Sequence, residues 1–306
     1  MVVLAITLVG NGFRVWQPGH MAVEHFDEGV YASNILCDLN GYRYPFLHLY
    51  APPLLPFLLY WTLILSGMAA SSVMWVNVVA GSLMVPSVWW VGRQWFGPVA
   101  GMTAATLAAF SEVHILFSRT ALTDVLLCLW MLWGVYWAWR AILTGRPAAI
   151  FLAGLFASLA WWTKYNGWLT LAISGSGMLA WIIVPRIAPT GLAAHVKCAA
   201  KQDDAPPPGP AILRWSVLAA IAIVGWLPVL MNLQPFGGYA AVSANHAGYF
   251  VGFGGWWESF MYLWMVDLFT CMPSFNSSPR IRSAPQVLFS VAIRRIKAIS
   301  SSPNRG

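Results

Sequence analysis

Two carboxylates stand side by side at Asp27-Glu28, within His25-Phe26-Asp27-Glu28-Gly29-Val30-Tyr31. The chain has only 10 acids, so an adjacent pair is a conspicuous use of them. Such a pair can hold a divalent cation, or one member can act as general base while the other orients it. The alternative is structural: both acids favour the first turn of a helix running through Tyr31. Further along, Arg119 and Asp124 lie in the connector Ser118-Arg119-Thr120-Ala121-Leu122-Thr123-Asp124, and Lys164 closes an apolar run. Arg119 and Lys164 are cations that could meet a phosphate. Equally, Thr123 or Asp124 could cap a helix, and a lysine at the end of an apolar run ordinarily snorkels toward water. His246, in Ser243-Ala244-Asn245-His246-Ala247-Gly248-Tyr249, is a loop histidine that is either a substrate contact or incidental. Glu112 and His114 would be costly against lipid, so they are expected to face the bundle interior or a polar cavity.

The elements that must position these residues are apolar. Charged residues make up 9% of the chain and hydrophobic ones 59%. Soluble domains carry about 25% charge, so this chain cannot clothe a water-facing surface and lipid must be its main solvent. The net charge of +7 resides in loops between apolar runs, which points to membrane orientation and excludes nucleic acid as the expected partner. The cysteines, Cys37, Cys128, Cys198 and Cys271, are scattered without a CxxC, so neither a metal cluster nor a disulfide framework is expected.

Runs of near-spanning length occur at 1–13, 52–69, 72–92, 97–117, 121–142, 149–163, 167–184, 211–233 and 256–272. The fold class is all-α, a polytopic transmembrane bundle of about eight spans. The run 52–69 decides the topology. If it crosses, Arg93, Arg140, Arg146, Arg186, Lys197 and Lys201 all fall outside. If it lies in the interface as a juxtamembrane helix, all six fall inside, as the positive-inside bias prefers. The second arrangement puts Asp27-Glu28, the 118–124 connector, Lys164 and the 234–255 loop on one outer face. Residues 1–272 form the expected membrane domain. Residues 273–306 hold Arg280, Arg282, Arg294, Arg295, Lys297 and Arg305 with no acid, and read as a basic tail or as the end of a truncated chain.

Three ordered motifs carry a resemblance. The pattern Phe26-Asp27-Glu28-Gly29-Val30-Tyr31, Leu39-Asn40-Gly41 and Tyr50-Ala51-Pro52-Pro53-Leu54 resembles the first outer loop of the protein mannosyltransferase and lipid A aminoarabinose transferase superfamily. These are GT-C-type membrane glycosyltransferases. Phe117 to Asp124 resembles that family's second outer loop, and Gly154-Leu155 with Leu159 to Lys164 resembles its glycine-then-threonine-lysine helix end.

The resemblance implies a polyprenyl-phosphate-linked sugar donor, a juxtamembrane helix pair after the acidic loop, and transfer to a lipid, glycan or protein acceptor on the outer face. That face would be periplasmic or lumenal, and the setting a multi-pass protein of the bacterial inner membrane. Asp27 would be the catalytic residue, as base or metal ligand, with Glu28 beside it and Asp124 a second acidic site residue. Asp27 and Glu28 are the ligands for a divalent cation, if one is used. Tyr31, His48, Arg119, Lys164 and His246 are the substrate-binding candidates, Lys164 toward the donor phosphate. Several members carry Lys before the Pro-Pro pair where this chain has Ala51; His48 or Arg43 could substitute. Members run to a dozen or so spans, so the resemblance implies a truncated member. The competing classes are a polytopic transporter, which should show inverted repeats and broken helices, and a non-catalytic membrane subunit.

Overall fold

The computed structural model describes residues 2–17, 27–32, 51–187, 207–246 and 257. The chain divides into two units, Met1–Asn245 and His246–Gly306. Nearly all of the second, and with it the expected boundary at 272/273, lies outside the described residues.

The first unit is helical throughout its described elements. They are α1 (Val2–Val15), α2 (27–32), α3 (Leu54–Ser66), α4 (Trp75–Phe96, entered through a 3-10 turn, Ala70–Met74), α5 (Pro98–Phe110) and α6 (Glu112–Ser118). There follow α7 (Thr123–Thr144), α8 (Pro147–Thr163), a 3-10 turn (Tyr165–Trp168), α9 (Leu169–Ile187), α10 (Pro208–Leu233) and α11 (Gly238–His246). Prolines at the first turns of α5, α8 and α10 start helices where the missing N–H costs nothing. Gly145, at φ +64°, ends α7 in the left-handed conformation that glycine adopts without strain.

Among the described residues four helices are long and apolar enough to cross a membrane: Ser71–Phe96, Thr123–Thr144, Tyr165–Val184 and Pro208–Leu233. A fifth span forms if α5 and α6 are one, bent by 60°. The run 97–117 is therefore not the continuous helix its composition suggests. Ser111 ends α5 and caps α6, its hydroxyl accepting from the His114 N–H. The carbonyls freed at the break are taken by Arg14, whose Nη2 donates to Ala108 at 2.9 Å and Nη1 to Ala109 at 3.4 Å. Arg14 is fully buried. It also donates to Gly10 (2.7 Å), Ser118 Oγ (3.3 Å) and His114 Nδ1 (2.7 Å), which fixes His114 as an acceptor at that nitrogen. Glu112, by contrast, is exposed.

These contacts settle the role of α3. The C-terminal end of α1 meets Ser118, and the first turn of α4 meets Thr120 and Leu122 through Asn77. Both helix ends therefore sit at one end of the bundle. Accordingly α3 has 13 residues, about 20 Å of helix against roughly 30 Å of hydrocarbon. It packs Leu55, Leu59 and Leu63 into a core with Val30, Tyr31, Met74, Ala121, Val125 and Leu129. The remaining spans close through small residues: a Cβ on Gly154 would stand 2.6 Å from Ile221, and one on Gly134 2.5 Å from Thr170.

Candidate functional site

The site is built on the Arg119–Leu122 connector, which is clamped on both edges. Asn77, fully buried in the first turn of α4, donates from Nδ2 to the Thr120 carbonyl at 2.6 Å and the Leu122 carbonyl at 2.5 Å. Between them the Ala121 N–H donates to Glu28 Oε1 at 2.5 Å. Glu28 is 1% exposed. Through this hydrogen bond Glu28 ties α2 to the connector. Tyr31, one turn on, is also buried, and its hydroxyl shares a hydrogen bond with the Thr123 side chain. Burial pushes its phenol up from the ordinary value, and the nearby charges of Asp27 and Asp124 push it further. Tyr31 is therefore a neutral phenol lying within reach of both carboxylates.

The clamp sets the start of α7 and so the position of Asp124. Lys164 Nζ stands 2.7 Å from Asp124 Oδ1, with both side chains about two-fifths exposed (38% and 43%). Each charge suits its helix end: Asp124 lies in the first turn of α7, and Lys164 follows the last residue of α8. Lys164 is extended (φ −150°, ψ 144°), and the chain turns sharply back after it. That turn requires Gly167, where a Cβ would stand 2.3 Å from the backbone of Ala160. Trp161 stacks on Trp226 of α10 at 5.0 Å between ring centroids, and Tyr165 meets the same ring edge-on. The ammonium is thus carried on a rigid corner.

Of the residues singled out from sequence, Asp27, Glu28, Tyr31, Asp124 and Lys164 come together. Arg119 is placed differently: its Nη1 donates to the Phe13 carbonyl at 3.0 Å, closing the C-terminal turn of α1. His48 lies outside the described residues, and so does the side chain of His246, the last residue of α11. Ala51, directly before the Pro52-Pro53 pair, is buried against α3. Asn77, Arg14 and Ser118 were not anticipated. The signal for Asn77 was an amide near the start of an apolar run, where hydrocarbon forbids an unpaired polar group.

The adjacent pair Asp27-Glu28 does not offer a chelate. Neighbours on a helix point about 100° apart, and a Glu28 oxygen is on the Ala121 N–H. Among the described residues no three His, Cys, Asp or Glu side chains gather in a metal-binding group. What the arrangement offers is one ammonium, two carboxylates (Asp27 and Asp124) and a phenol at one end of the bundle.

Residues 50–189 match the sequence family described as dolichyl-phosphate-mannose-protein mannosyltransferase. The match takes in Asn77, Arg119, Asp124 and Lys164, and begins after the acidic stretch at 27–31. A comparison with curated proteins finds no match. The fold is similar to solved structures of the oligosaccharyltransferase of Archaeoglobus fulgidus. The apo form has a TM-score of 0.53 at 17% identity, covering 100% of this chain and 39% of that one. The complex with Zn and sulfate gives 0.51 at 16%, covering 87% and 40%. The enzyme AglB, in complex with an inhibitory peptide and a dolichol-phosphate, gives 0.50 at 16%, covering 95% and 38%. At these identities the likeness is one of fold, and the chain spans about two-fifths of the length of those proteins.

Proposed function

We propose that this chain, whose residues 50–189 match the dolichyl-phosphate-mannose-protein mannosyltransferase family, acts as a membrane glycosyltransferase drawing its sugar from a polyprenyl-phosphate-linked donor. The observation that carries the reading is the Asp124–Lys164 pair, half-exposed at 2.7 Å, with Asp27 close enough to act on the same Tyr31. An ammonium has three donors, and one is given to Asp124. The other two are available to phosphate oxygens, so Lys164 meets the charge that develops as the lipid phosphate departs.

The reaction is a displacement at the anomeric carbon. The acceptor oxygen forms a bond to C1 while the C1–O bond to phosphate breaks. The acceptor's proton goes to Asp27, and the electron pair leaves with the polyprenyl phosphate. Tyr31 remains protonated and supplies a fixed dipole beside both acids. No step is routed through a metal ion.

The end of the bundle carrying these groups is the one directed out of the cytoplasm, in a bacterial inner membrane. Support comes from the opposite end, where Arg93, Arg140, Arg146 and Arg214 gather. The acceptor is a protein, lipid or glycan on the outer face. The α5–α6 break is the kind of feature a transporter uses, but here Arg14 occupies the freed carbonyls.

Membranes carrying the chain, given a labelled polyprenyl-phosphate sugar and acceptor, test the reading. Asp27→Asn keeps the shape and removes the base. Transfer should fall by about 10²-fold or more with insertion intact. Transfer at the normal rate in that variant overturns the assignment, and uptake of sugar without transfer makes the protein a transporter.

A further inference from the structure

The end of the bundle remote from Asp124 holds a second built feature, independent of glycosyl transfer. A cleft of about 340 Å³ lies between α4, α7 and α9, within the size range of ligand sites. Its floor includes the buried Ile142 and Met178, and Ile173, 47% exposed, stands at its open side. Trp95, Trp139 and Trp181 form aromatic walls, the first two with ring centroids 5.9 Å apart. Ile142 is about 27 Å along α7 from Asp124 by helical rise, close to the full hydrocarbon thickness, so the cleft belongs to the other leaflet.

Two observations say what occupies it. First, the walls are hydrocarbon and indole, which suits an acyl chain entering from the bilayer. Second, the rim is cationic. The Arg140 guanidinium lies 5.9 Å from the Trp139 ring centroid, and Arg214 Nη1 donates to the carbonyls of Ile142 and Leu143, two residues of the lining. Arg93 and Arg146 are exposed close by in sequence. Of the described acids, Asp27, Glu28 and Asp124 sit at the opposite end of the bundle, and Glu112 lies beyond the α5 break. Basic pockets between spans are suited to anionic headgroups.

We propose that this cleft binds one anionic phospholipid, its acyl chain against Trp95, Trp139 and Trp181 and its headgroup phosphate between Arg140 and Arg214. The structure also supplies a clean probe. Gly177 lines the cleft from the interior of α9, and a Cβ there meets nothing within 4 Å. Gly177→Phe fills the space without displacing packed atoms, and Gly177→Ala is the control that leaves most of it open.

The test is native mass spectrometry of the full chain extracted from vesicles of mixed phosphatidylglycerol and phosphatidylcholine. One phosphatidylglycerol should be retained by the wild type and by Gly177→Ala, and lost from Gly177→Phe. Arg140→Gln should retain it about fivefold less well, the worth of roughly one interfacial cation. Equal retention of the two lipids, no retained lipid, or undiminished retention in Gly177→Phe overturns the proposal. Melting of each variant in detergent, expected to match the wild type stripped of lipid, separates loss of the site from loss of the fold.

Discussion

Asn77 Nδ2 donates to the carbonyls of Thr120 and Leu122 while Glu28 Oε1 accepts from the N–H of Ala121 between them. Two helices far apart in sequence thereby hold opposite edges of the same connector. The connector's next residues open α7 and include Asp124. Asp124 and Lys164 are thus placed by backbone hydrogen bonds rather than by their mutual attraction, which is worth little between half-exposed groups.

Asn77 tests this directly. Asn77→Asp preserves shape but turns the two donated bonds into repulsion between a buried carboxylate and two carbonyls. Loss of about 2–4 kcal/mol of stability is expected, in the range for an uncompensated buried charge. Denaturation followed in detergent checks it, and an Asn77→Asp protein as stable as the wild type would show that the amide does not face those carbonyls.

For the ion pair, stability and activity should come apart. Lys164 and Asp124 are each more than a third exposed, so Lys164→Met or Asp124→Asn should cost no more than about 1 kcal/mol. Transfer should nevertheless fall by about 10²-fold or more in each. The double exchange Asp124→Lys with Lys164→Asp should restore the attraction and not the transfer, because the ammonium would then stand at the α7 end. Activity measured alongside melting decides; recovery of transfer in the exchanged protein would make the pair purely structural.

Much of this was legible in the sequence, for a physical reason. Charge is scarce in a chain dissolved in lipid, so Asp27, Glu28, Asp124 and Lys164 announce themselves, and basic residues in the loops set the topology that brings them together. The sequence could not distinguish Glu28 from Asp27, because burial depends on which face of α2 meets Ala121. Nor could it place the break at Ser111. The run through it is uniformly apolar, and the break is held by Arg14, which lies about a hundred residues earlier. Nor could the sequence reveal that Arg119 also serves the Phe13 carbonyl, about a hundred residues away in sequence.

Tyr31 should leave a mark on alkaline unfolding. Its phenol is pushed above the ordinary value of 10.0 by burial and then by Asp27 and Asp124. The folded protein keeps that proton where the unfolded chain has lost it, so stability is full below about pH 10 and declines as pH rises through the folded value. Tyr31→Phe removes the titration and the hydrogen bond to Thr123. It should be less stable at pH 8, by about 1 kcal/mol, with a shallower decline above pH 10 than the wild type. Parallel alkaline curves would mean that Tyr31 does not lie in that environment.

The corner that carries Lys164 can be broken without touching a charge. A methyl group at Gly167 would stand 2.3 Å from the Ala160 carbonyl carbon and oxygen, backbone atoms that cannot rotate away. Gly167→Ala must therefore move the 3-10 turn off the end of α8, at about 1–3 kcal/mol for overpacking. Transfer should drop more than stability alone explains, because the ammonium is displaced from Asp124. Gly177→Ala in α9, where a Cβ meets open space, is the matched control and should change neither quantity.

Glu28 separates holding from catalysis. If its part is to accept the Ala121 N–H, an amide oxygen will serve, and Glu28→Gln should keep most of the stability and a measurable share of transfer. Glu28→Ala should lose both, since it leaves a buried N–H without an acceptor at about 1–3 kcal/mol. A proton-accepting or cation-binding Glu28 predicts the opposite order: Gln would be as inactive as Ala while remaining folded. Rates and melting temperatures for the two variants, measured with Asp27→Asn as the inactive reference, distinguish the roles. The burial of Glu28 at 1% exposure, against partial exposure of its neighbour Asp27, favours the first outcome, because a group that exchanges protons with a substrate must be accessible to it.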